Sequence, residues 1–388
     1  MVRPLLLVFP SILLALELPS GSTLEVRLHT KLTSAASKPG DAFEGVVIQD
    51  PIDGAVVKGK VKTATSASDT QRAALVLEFT EIAGQPLKAQ LSEVDNAREK
   101  VNDKGEIEGI AGSETLTSRI DAGLGKLGGR LPTFAEILKA AKGAAFKESD
   151  ANIVYEPGAE FIVKLTAPLK LEAARLKGPP KLEEVANFQA LAELANAQPF
   201  QTVADNPPKN SDITNLMFIG SPERLVAAFK DSGWSLAAGL SGKSKFETMR
   251  ALVEDRGYKE APMSILRLEG SEPLFNWEKM NNTFAKRHHL RIFRRPVQWE
   301  GSQVWVSSST HDTGIEFKPE QKNFIHKVDG KIDGERDKIV RDLVFTGAVK
   351  SVAHVDRPAI PKETMNATGD KLVTDGRMAV VIFRESAP

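Results

Sequence analysis

The chain has 388 residues, 41% of them hydrophobic and 6% aromatic, with Lys plus Arg and Asp plus Glu balanced at 51 each. This length and composition imply folded cores in about two domains and exclude a wholly disordered chain, while the zero net charge excludes a global field that draws in nucleic acid or an anionic membrane. The absence of cysteine excludes disulfides, thiol catalysis, thiolate metal sites and lipoprotein attachment.

From the N-terminus, Arg3 and Pro4 precede an apolar run from Leu5 to Leu16 that is interrupted by Pro10 and closed by Glu17 and Pro19. A basic start followed by a short apolar core has the form of an export signal, and the run falls short of the roughly 20 residues a spanning helix needs. Residues 1–20 are therefore expected to be a signal removed near Ser20, giving a periplasmic or secreted chain without a membrane span. An uncleaved anchor is the alternative.

Beyond it, Leu24, Val26 and Leu28 alternate with Glu25, Arg27 and His29, the pattern of a half-buried strand. Phe43 to Ile48, Ala55 to Val61 and Leu75 to Phe79 also read as extended, separated by turn signals at Pro39-Gly40, Asp53-Gly54 and Gly84. An internal echo follows. Gly21, Leu24, Val26, Arg27, Leu28 and Leu32 recur at constant offset as Gly158, Phe161, Val163, Lys164, Leu165 and Leu169, two segments suited to neighbouring positions in one sheet. Between them, Asp103 to Lys147 is rich in Gly and Ala, and Thr133 with Glu136 forms a capping box, which predicts a helical insertion. Residues 21–171 thus read as a barrel-like β domain. Its strand layout, paired motifs and interposed Gly/Ala helices resemble the β-barrel domain of TrbI-like type IV secretion scaffolds, a resemblance that implies architecture only.

Residues 172–212 read as a linker with a short helix from Pro179-Pro180 to about Asn196, ending in the breaker run Asp205-Asn206-Pro207-Pro208. Residues 213–388 read as the second domain. Ile213 to Ile219 predicts a buried strand, and Gly220-Ser221-Pro222 a turn into a helix with Ser221 as N-cap and Leu225, Ala228 and Phe229 inward. A second helix is expected from the Ser244 and Glu247 capping pair. Strands follow at Ser264–Leu268, Leu274–Trp277, His288–Phe293, Val304–Ser309, Ile315–Phe317 and Asn323–Val328, then a helix over Glu335–Val344 and closing strands near Val352 and at Met378–Phe383. The fold class is α+β: an N-terminal β-barrel-like domain with a Gly/Ala-rich helical insertion, and a C-terminal α+β domain with a mostly antiparallel sheet.

Motifs in this second half carry a further resemblance. Asn215-Leu216-Met217-Phe218-Ile219-Gly220 leads into Gly233-Trp234, then Arg287-His288-His289 with Arg291, Trp305 ahead of His311-Asp312-x-Gly314-Ile315, His326-x-x-Asp329, and Ile332-Asp333-Gly334-Glu335-Arg336-Asp337. In this order they resemble the LssY C-terminal domain family of bacteria, named for a secretion-system component and often joined to membrane-embedded regions of DedA-like or phosphatidic-acid-phosphatase-like type. The resemblance implies an envelope setting and no defined chemistry.

Five of the six histidines lie between His288 and His354. Strand alternation places His288, Leu290 and Ile292 on one face and His289, Arg291 and Phe293 on the other. His288 is then expected among core neighbours and the rest along a solvated edge strand. Against this plain reading stands a polar groove in which Arg287, His289, Arg291, Asp312 and Arg336 hold a phosphorylated or anionic ligand. A third reading gathers His288, His289, His311, His326 and Asp329 around Zn or Mn, since neutral imidazoles and hard oxygens suit such ions. No His-Glu-x-x-His spacing occurs. Asp333, Glu335 and Asp337 at a helix start read as capping and dipole-compensating acids, leaving Arg336 free to pair with another strand's acid. Ser307, Ser308 and Ser309 beside His311 and Asp312 do not form a triad, because neighbouring strand residues point to opposite faces and no nucleophile elbow occurs. Gly220-Ser221-Pro222-Glu223 reads as capping rather than as an anion site. The function expected is that of an exported envelope binding or scaffolding protein with envelope or secretion-system partners and no nucleic acid. The alternative is a metal-dependent phosphoester hydrolase with Arg287 and Arg291 clamping phosphate.

Overall fold

The computed structural model describes residues 15–49, 51–115, 151–172, 181–205, 207–236, 266–279, 286–318 and 323–385. Strands β2 (Thr23–Leu28), β3 (Ala42–Val47), β4 (Val56–Thr65) and β5 (Ala74–Ile82) follow the alternating segments of the sequence, and β1 (Ala15–Leu18) precedes them. They are joined by β6 (Ala89–Val94), β7 (Lys100–Val101), β8 (Glu106–Glu108), β9 (Glu160–Leu165) and β10 (Leu169–Glu172). One sheet runs β6-β9-β2-β3-β4-β5-β8-β7, and β6 approaches β5 and β7, so the sheet curls into a nearly closed barrel. Inward residues from these strands, including Leu24, Val26, Phe43, Leu75, Phe79, Phe161 and Val163, fill a single apolar core. The two echoed segments are antiparallel neighbours: Leu24 faces Val163 and Val26 faces Phe161.

Three expectations change here. Ala15–Leu18, the end of the presumed leader, pair with Leu169–Glu172, and Leu16 and Leu18 pack on the barrel core, so the described barrel starts ahead of Gly21. The first part of the expected helical insertion, up to Thr115, is strand β8 and a single 3-10 turn at Gly112–Glu114; Thr133, Glu136 and the rest lie outside the described residues. Residues 172–212 are not simply a linker. They contribute helix α1 (Phe188–Asn196), strand β11 (Gln201–Ala204) and the start of β12 (Lys209–Ile219), so the segment around Asp205 and Pro208 closes a hairpin instead of separating domains.

After β12 come α2 (Pro222–Asp231), β13 (Trp234–Leu236), β14 (Leu266–Arg267), β15 (Phe275–Lys279), β16 (Arg287–Trp299), β17 (Ser302–Lys318) and β18 (Asn323–Val328). Helix α3 (Ile332–Phe345) and strands β19 (Val349–Asp356) and β20 (Arg377–Phe383) complete the major elements. Ser221 caps α2 by accepting from the Arg224 backbone N–H, with Pro222 in the first turn, as its sequence requires. The helix expected at Ser244 and Glu247 lies outside the described residues. The second sheet runs β13-β15-β16-β17-β12-β11-β14, with β20 parallel to β12 and antiparallel to β19. Leu290, Ile292 and Trp305 face α2 and α3 in one core, while Phe293, Val304 and Val306 face α1 in another. The described residues are mostly β, with α1 to α3 as their α-helices, so sheet dominates more than the α+β expectation allowed.

The barrel docks against the edge of this second sheet at a tight seam. Gly158, ahead of β9, meets Gly233, ahead of β13: a Cβ on either would sit 3.1 Å from the other's Cα, and both have positive φ, at +100° and +80°. Glycine is required twice over there, by conformation and by space. The same glycine of the internal echo and the glycine of the Gly233-Trp234 motif therefore meet face to face.

Candidate functional site

Next to that seam the polar residues divide between the two faces of β16 and β17. Their register pairs His288 with His311, His289 with Thr310 and Arg287 with Asp312. Directly opposed residues share a face and adjacent ones do not. His288 and His311 thus lie on the α3 side, and Arg287, His289, Arg291 and Asp312 on the other. The sheet itself prevents the expected histidines and arginines from meeting in one pocket.

On the α3 side the His288 ring lies between two carboxylates, Nδ1 at 2.7 Å from Glu335 Oε2 and Nε2 at 3.0 Å from Asp95 Oδ2. It stacks on His311 with ring centroids 4.1 Å apart, and His311 Nε2 is 2.9 Å from Asn96 Oδ1. Glu335 comes from α3, whereas Asp95 and Asn96 come from the turn after β6, so the histidines span the two domains. Asn96 holds that turn in the left-handed region at φ 55°, where an Asn is tolerated better than most residues. Burial alone would lower the His288 pKa, but Glu335 and Asp95 outweigh it and raise it to about 9. Burial and the charged His288 lower His311. At neutral pH a protonated imidazole is stacked on a neutral one, and the cationic ring donates to both acids.

This clasp continues into a buried ionic network along the seam. Asp95 lies 3.9 Å from Lys338 Nζ, and Lys338 also bonds Glu160. Glu160 accepts from Arg27 Nη2 at 2.9 Å and Lys279 Nζ at 2.8 Å; Asp342 accepts from the same Arg27 nitrogen at 2.6 Å and from Trp234 Nε1 at 2.9 Å. Lys279 Nζ is also 2.9 Å from Asp342 Oδ2. Burial opposes ionisation of Glu160, yet Lys279, Lys338 and Arg27 hold its carboxyl well below the usual range. Arg27 and Glu160 come from the barrel, Lys279, Lys338 and Asp342 from the second domain. Opposite charges from both sides therefore meet in direct, buried contact, a geometry that demands that every partner be present.

A cavity of about 150 Å³ adjoins the clasp, lined by His288, His311, Asp329, Lys331, Glu335 and Lys338 among others. One nitrogen each from His288 and His311 and one oxygen of Glu335 lie within 4.8 Å of one another, close enough for modest rotations to bring them around a metal. Of the five residues expected to gather around Zn or Mn, the structure brings together His288 and His311, with Asp329 at the cavity wall. His289 and His326 are not among them.

On the other face Arg287 Nε donates to Asp312 Oδ2 at 3.0 Å, His289 Nε2 lies 3.0 Å from Asp312 Oδ1, and His326 Nδ1 lies 3.4 Å from Asp312 Oδ2. Asp312 is buried, which alone would raise its pKa, but His289, Arg287 and His326 lower it strongly. Burial and Arg287 push His326 down to about 4. Arg291 Nη1 donates to Asp212 Oδ2 at 3.2 Å. Residues 287–293 are all buried and β16 lies between β15 and β17, so this is no solvated edge strand and no open anion groove. The run that looks basic in sequence carries its own acids in space.

Arg336 belongs to neither face. It makes a bidentate pair with Asp375, at 2.8 and 3.1 Å, and also donates to Asp333 and Asp337, anchoring the segment before β20. The expected partner is an acid on another strand; Asp375 instead lies in the loop just before β20. The capping role expected of Asp333 is not: Lys331 holds the N-cap position, and Asp333 accepts from Thr374 Oγ1 and the Asp375 N–H. Glu335, read as a dipole-compensating acid, is the His288 partner. Sequence reasoning passed over Asp95, Asn96, Glu160, Lys279, Lys338 and Asp342, because ordinary strand and helix charges gain significance only when two domains bury them against each other.

Residues 196–378 match the family model described as LssY C-terminus. This segment belongs to the LssY C-terminus family. The LssY match begins at the end of α1 and so includes the β11–β12 hairpin within the domain, ahead of the expected boundary at residue 213. The His288–Glu335 pair and Arg336 are internal to the LssY segment, whereas Asp95, Asn96 and Glu160 come from the barrel that precedes it. No curated protein matches the chain. Among the described residues no helix is long and apolar enough to cross a membrane.

Proposed function

We propose that the protein is an exported cell-envelope binding or scaffolding protein in which the barrel and the LssY domain act as one rigid body. The observation that carries this reading is the buried clasp: His288, its two acids and the Arg27–Glu160–Lys279–Asp342–Lys338 network are all engaged in joining the domains. Groups whose charges are mostly engaged with one another, with Arg27 Nη1 and Glu335 Oε1 left as buried atoms without a hydrogen bond among the described residues, are better placed to fix two surfaces in one orientation than to do acid–base chemistry on a substrate. Envelope or secretion-system proteins are the partners this setting implies, and the basic start and apolar run of residues 1–20 support export.

A metal-dependent phosphoester hydrolase is the second reading, favoured by the approach of His288, His311 and Glu335 beside a cavity. A metal there would have to displace the proton that His288 shares with its carboxylates. One experiment separates the two. The chain expressed with its own N-terminus should be recovered from the envelope fraction, contain no bound Zn or Mn after purification, and be inactive on phosphomonoesters and phosphodiesters with added Mn, Zn or Mg. Near-stoichiometric metal, together with turnover abolished by His311→Ala, would establish the hydrolase instead.

A further inference from the structure

Away from the clasp, a cavity of about 480 Å³ opens between the start of α2, the β16–β17 hairpin and the end of β20. That is within the range of small-molecule sites, roughly 300 to 1,000 Å³. Three guanidinium side chains line it: Arg224, Arg294 and Arg384. Arg384 is paired with Glu183 at 3.1 Å. Arg224 and Arg294 are different. Arg224 Nε donates to the Arg384 carbonyl at 2.9 Å and Arg294 Nε to Gln303 Oε1 at 2.8 Å, both neutral acceptors. Among the described residues neither has a carboxylate partner, and Arg224 Nη2 is buried with no hydrogen bond. Buried guanidinium donors without an acceptor are costly, and oxyanions satisfy them in bidentate geometry.

The remainder of the lining suits an organic group attached to such an anion. Trp305 and Phe383 contribute apolar walls, with Trp305 fixed by its Nε1 donating to the Gly220 carbonyl at 3.0 Å. Gly220 keeps this wall closed, since a Cβ there would come 3.1 Å from the Phe383 Cβ. The start of α2 is not the basis of the site, because Ser221 already caps it. Glu385 is a carboxylate in the lining, and among the described residues it forms no ion pair with Arg224 or Arg294.

We propose that this cavity binds a phosphate monoester, its phosphate held between Arg224 and Arg294 and its organic part against Trp305 and Phe383. The contrast with Arg287, Arg291 and Arg336 supports the assignment: those guanidiniums carry their own acids, and these two do not. The inference stands apart from the domain clasp and from whether the protein is an enzyme.

Phenyl phosphate titrated into the full chain by calorimetry is expected to bind and to be displaced by inorganic phosphate. Arg294→Gln, at an exposed position, should weaken binding about tenfold, and the double change Arg224→Gln with Arg294→Gln should weaken it further. Arg267→Gln, a half-buried arginine outside the cavity, should leave it unchanged. Phosphatidylcholine vesicles with and without phosphatidic acid locate the source of the phosphate: capture by the acidic vesicles that Arg294→Gln abolishes assigns a lipid headgroup, and binding of phenyl phosphate alone assigns a soluble ester. Absence of binding by every probe, or equal binding by Arg294→Gln in a protein whose circular dichroism is unchanged, overturns the proposal. Arg294→Gln decides the matter even if the Arg224 change impairs folding.

Discussion

Glu160→Ala is expected to destabilise the folded chain by about 3 to 5 kcal/mol, because it leaves buried cations without their shared counter-charge. Arg27, Lys279 and Lys338 all direct nitrogens at this carboxylate, and Arg27 and Lys279 are almost wholly enclosed. Asp342, and Asp95 at 3.9 Å from Lys338 and already bonded to His288, are left to balance all three. Glu160→Gln should cost nearly as much, since an amide keeps the shape but not the charge. Lys164→Ala, on an exposed position of the same strand, should change stability by no more than roughly 0.5 kcal/mol. Urea unfolding followed by far-ultraviolet circular dichroism measures all three. Equal midpoints for the Glu160 variants and the unaltered chain would mean that the network does not bear on stability.

The second large effect is on the dependence of stability on pH. His288 has its folded pKa raised to about 9 from an ordinary 6.5. Its contribution is therefore complete below pH 6.5 and is lost as pH rises through 9, a change of about 3 kcal/mol over that window. Asp95 acts in the opposite sense. Despite burial, the bond to His288 lowers its carboxyl pKa, so its contribution is present above the usual carboxylate range and fades on acidification. Because His326, pushed down to about 4, and the lowered His311 cost stability as pH falls below 6.5, stability should be greatest near pH 6.5 and decline toward pH 9. His288→Gln should remove most of the alkaline decline while lowering stability at pH 6. Denaturant midpoints taken across this range for both proteins report the difference, and parallel curves would place the proton elsewhere.

Much of the chain's architecture was legible because it rests on local pattern. Alternating residues marked β2, the echo marked β9 as its neighbour, and Ser221-Pro222 marked the start of α2 within one residue. The split of Leu290 and Ile292 from Phe293 between two cores also followed from alternation alone. What alternation could not convey was the consequence for the site. Applied to His288 and His289, the same rule sends them to opposite sides of the sheet, yet proximity in sequence suggested a shared pocket. The acids were harder still. Asp95 lies 193 residues from His288, and nothing local distinguishes it from other turn acids. Glu335 occupies a helix start, where an acid already has a sufficient local reason to be present. Asp205 to Pro208 carried strong breaker chemistry, which specifies a turn but not whether that turn closes a hairpin or separates domains.

Arginine showed the same limit in reverse. Arg287, Arg291 and Arg336 drew attention as candidates for an anionic ligand because they cluster near histidines, but Asp312, Asp212 and Asp375 satisfy them within the fold. Arg224 and Arg294, 70 positions apart in the numbering, gained interest only when folding brought both to one cavity without an acid beside them. A cation's meaning depends on its partners.

The central claim is that His288 and Asp95 are energetically coupled across the domain seam. A double-mutant cycle of His288→Gln and Asp95→Asn, measured by urea unfolding at pH 6, tests it most directly. Coupling of roughly 1 to 3 kcal/mol is the result predicted for a buried charged hydrogen bond. Strictly additive effects would contradict it, because they would mean that the barrel and the LssY domain are not held together by this pair.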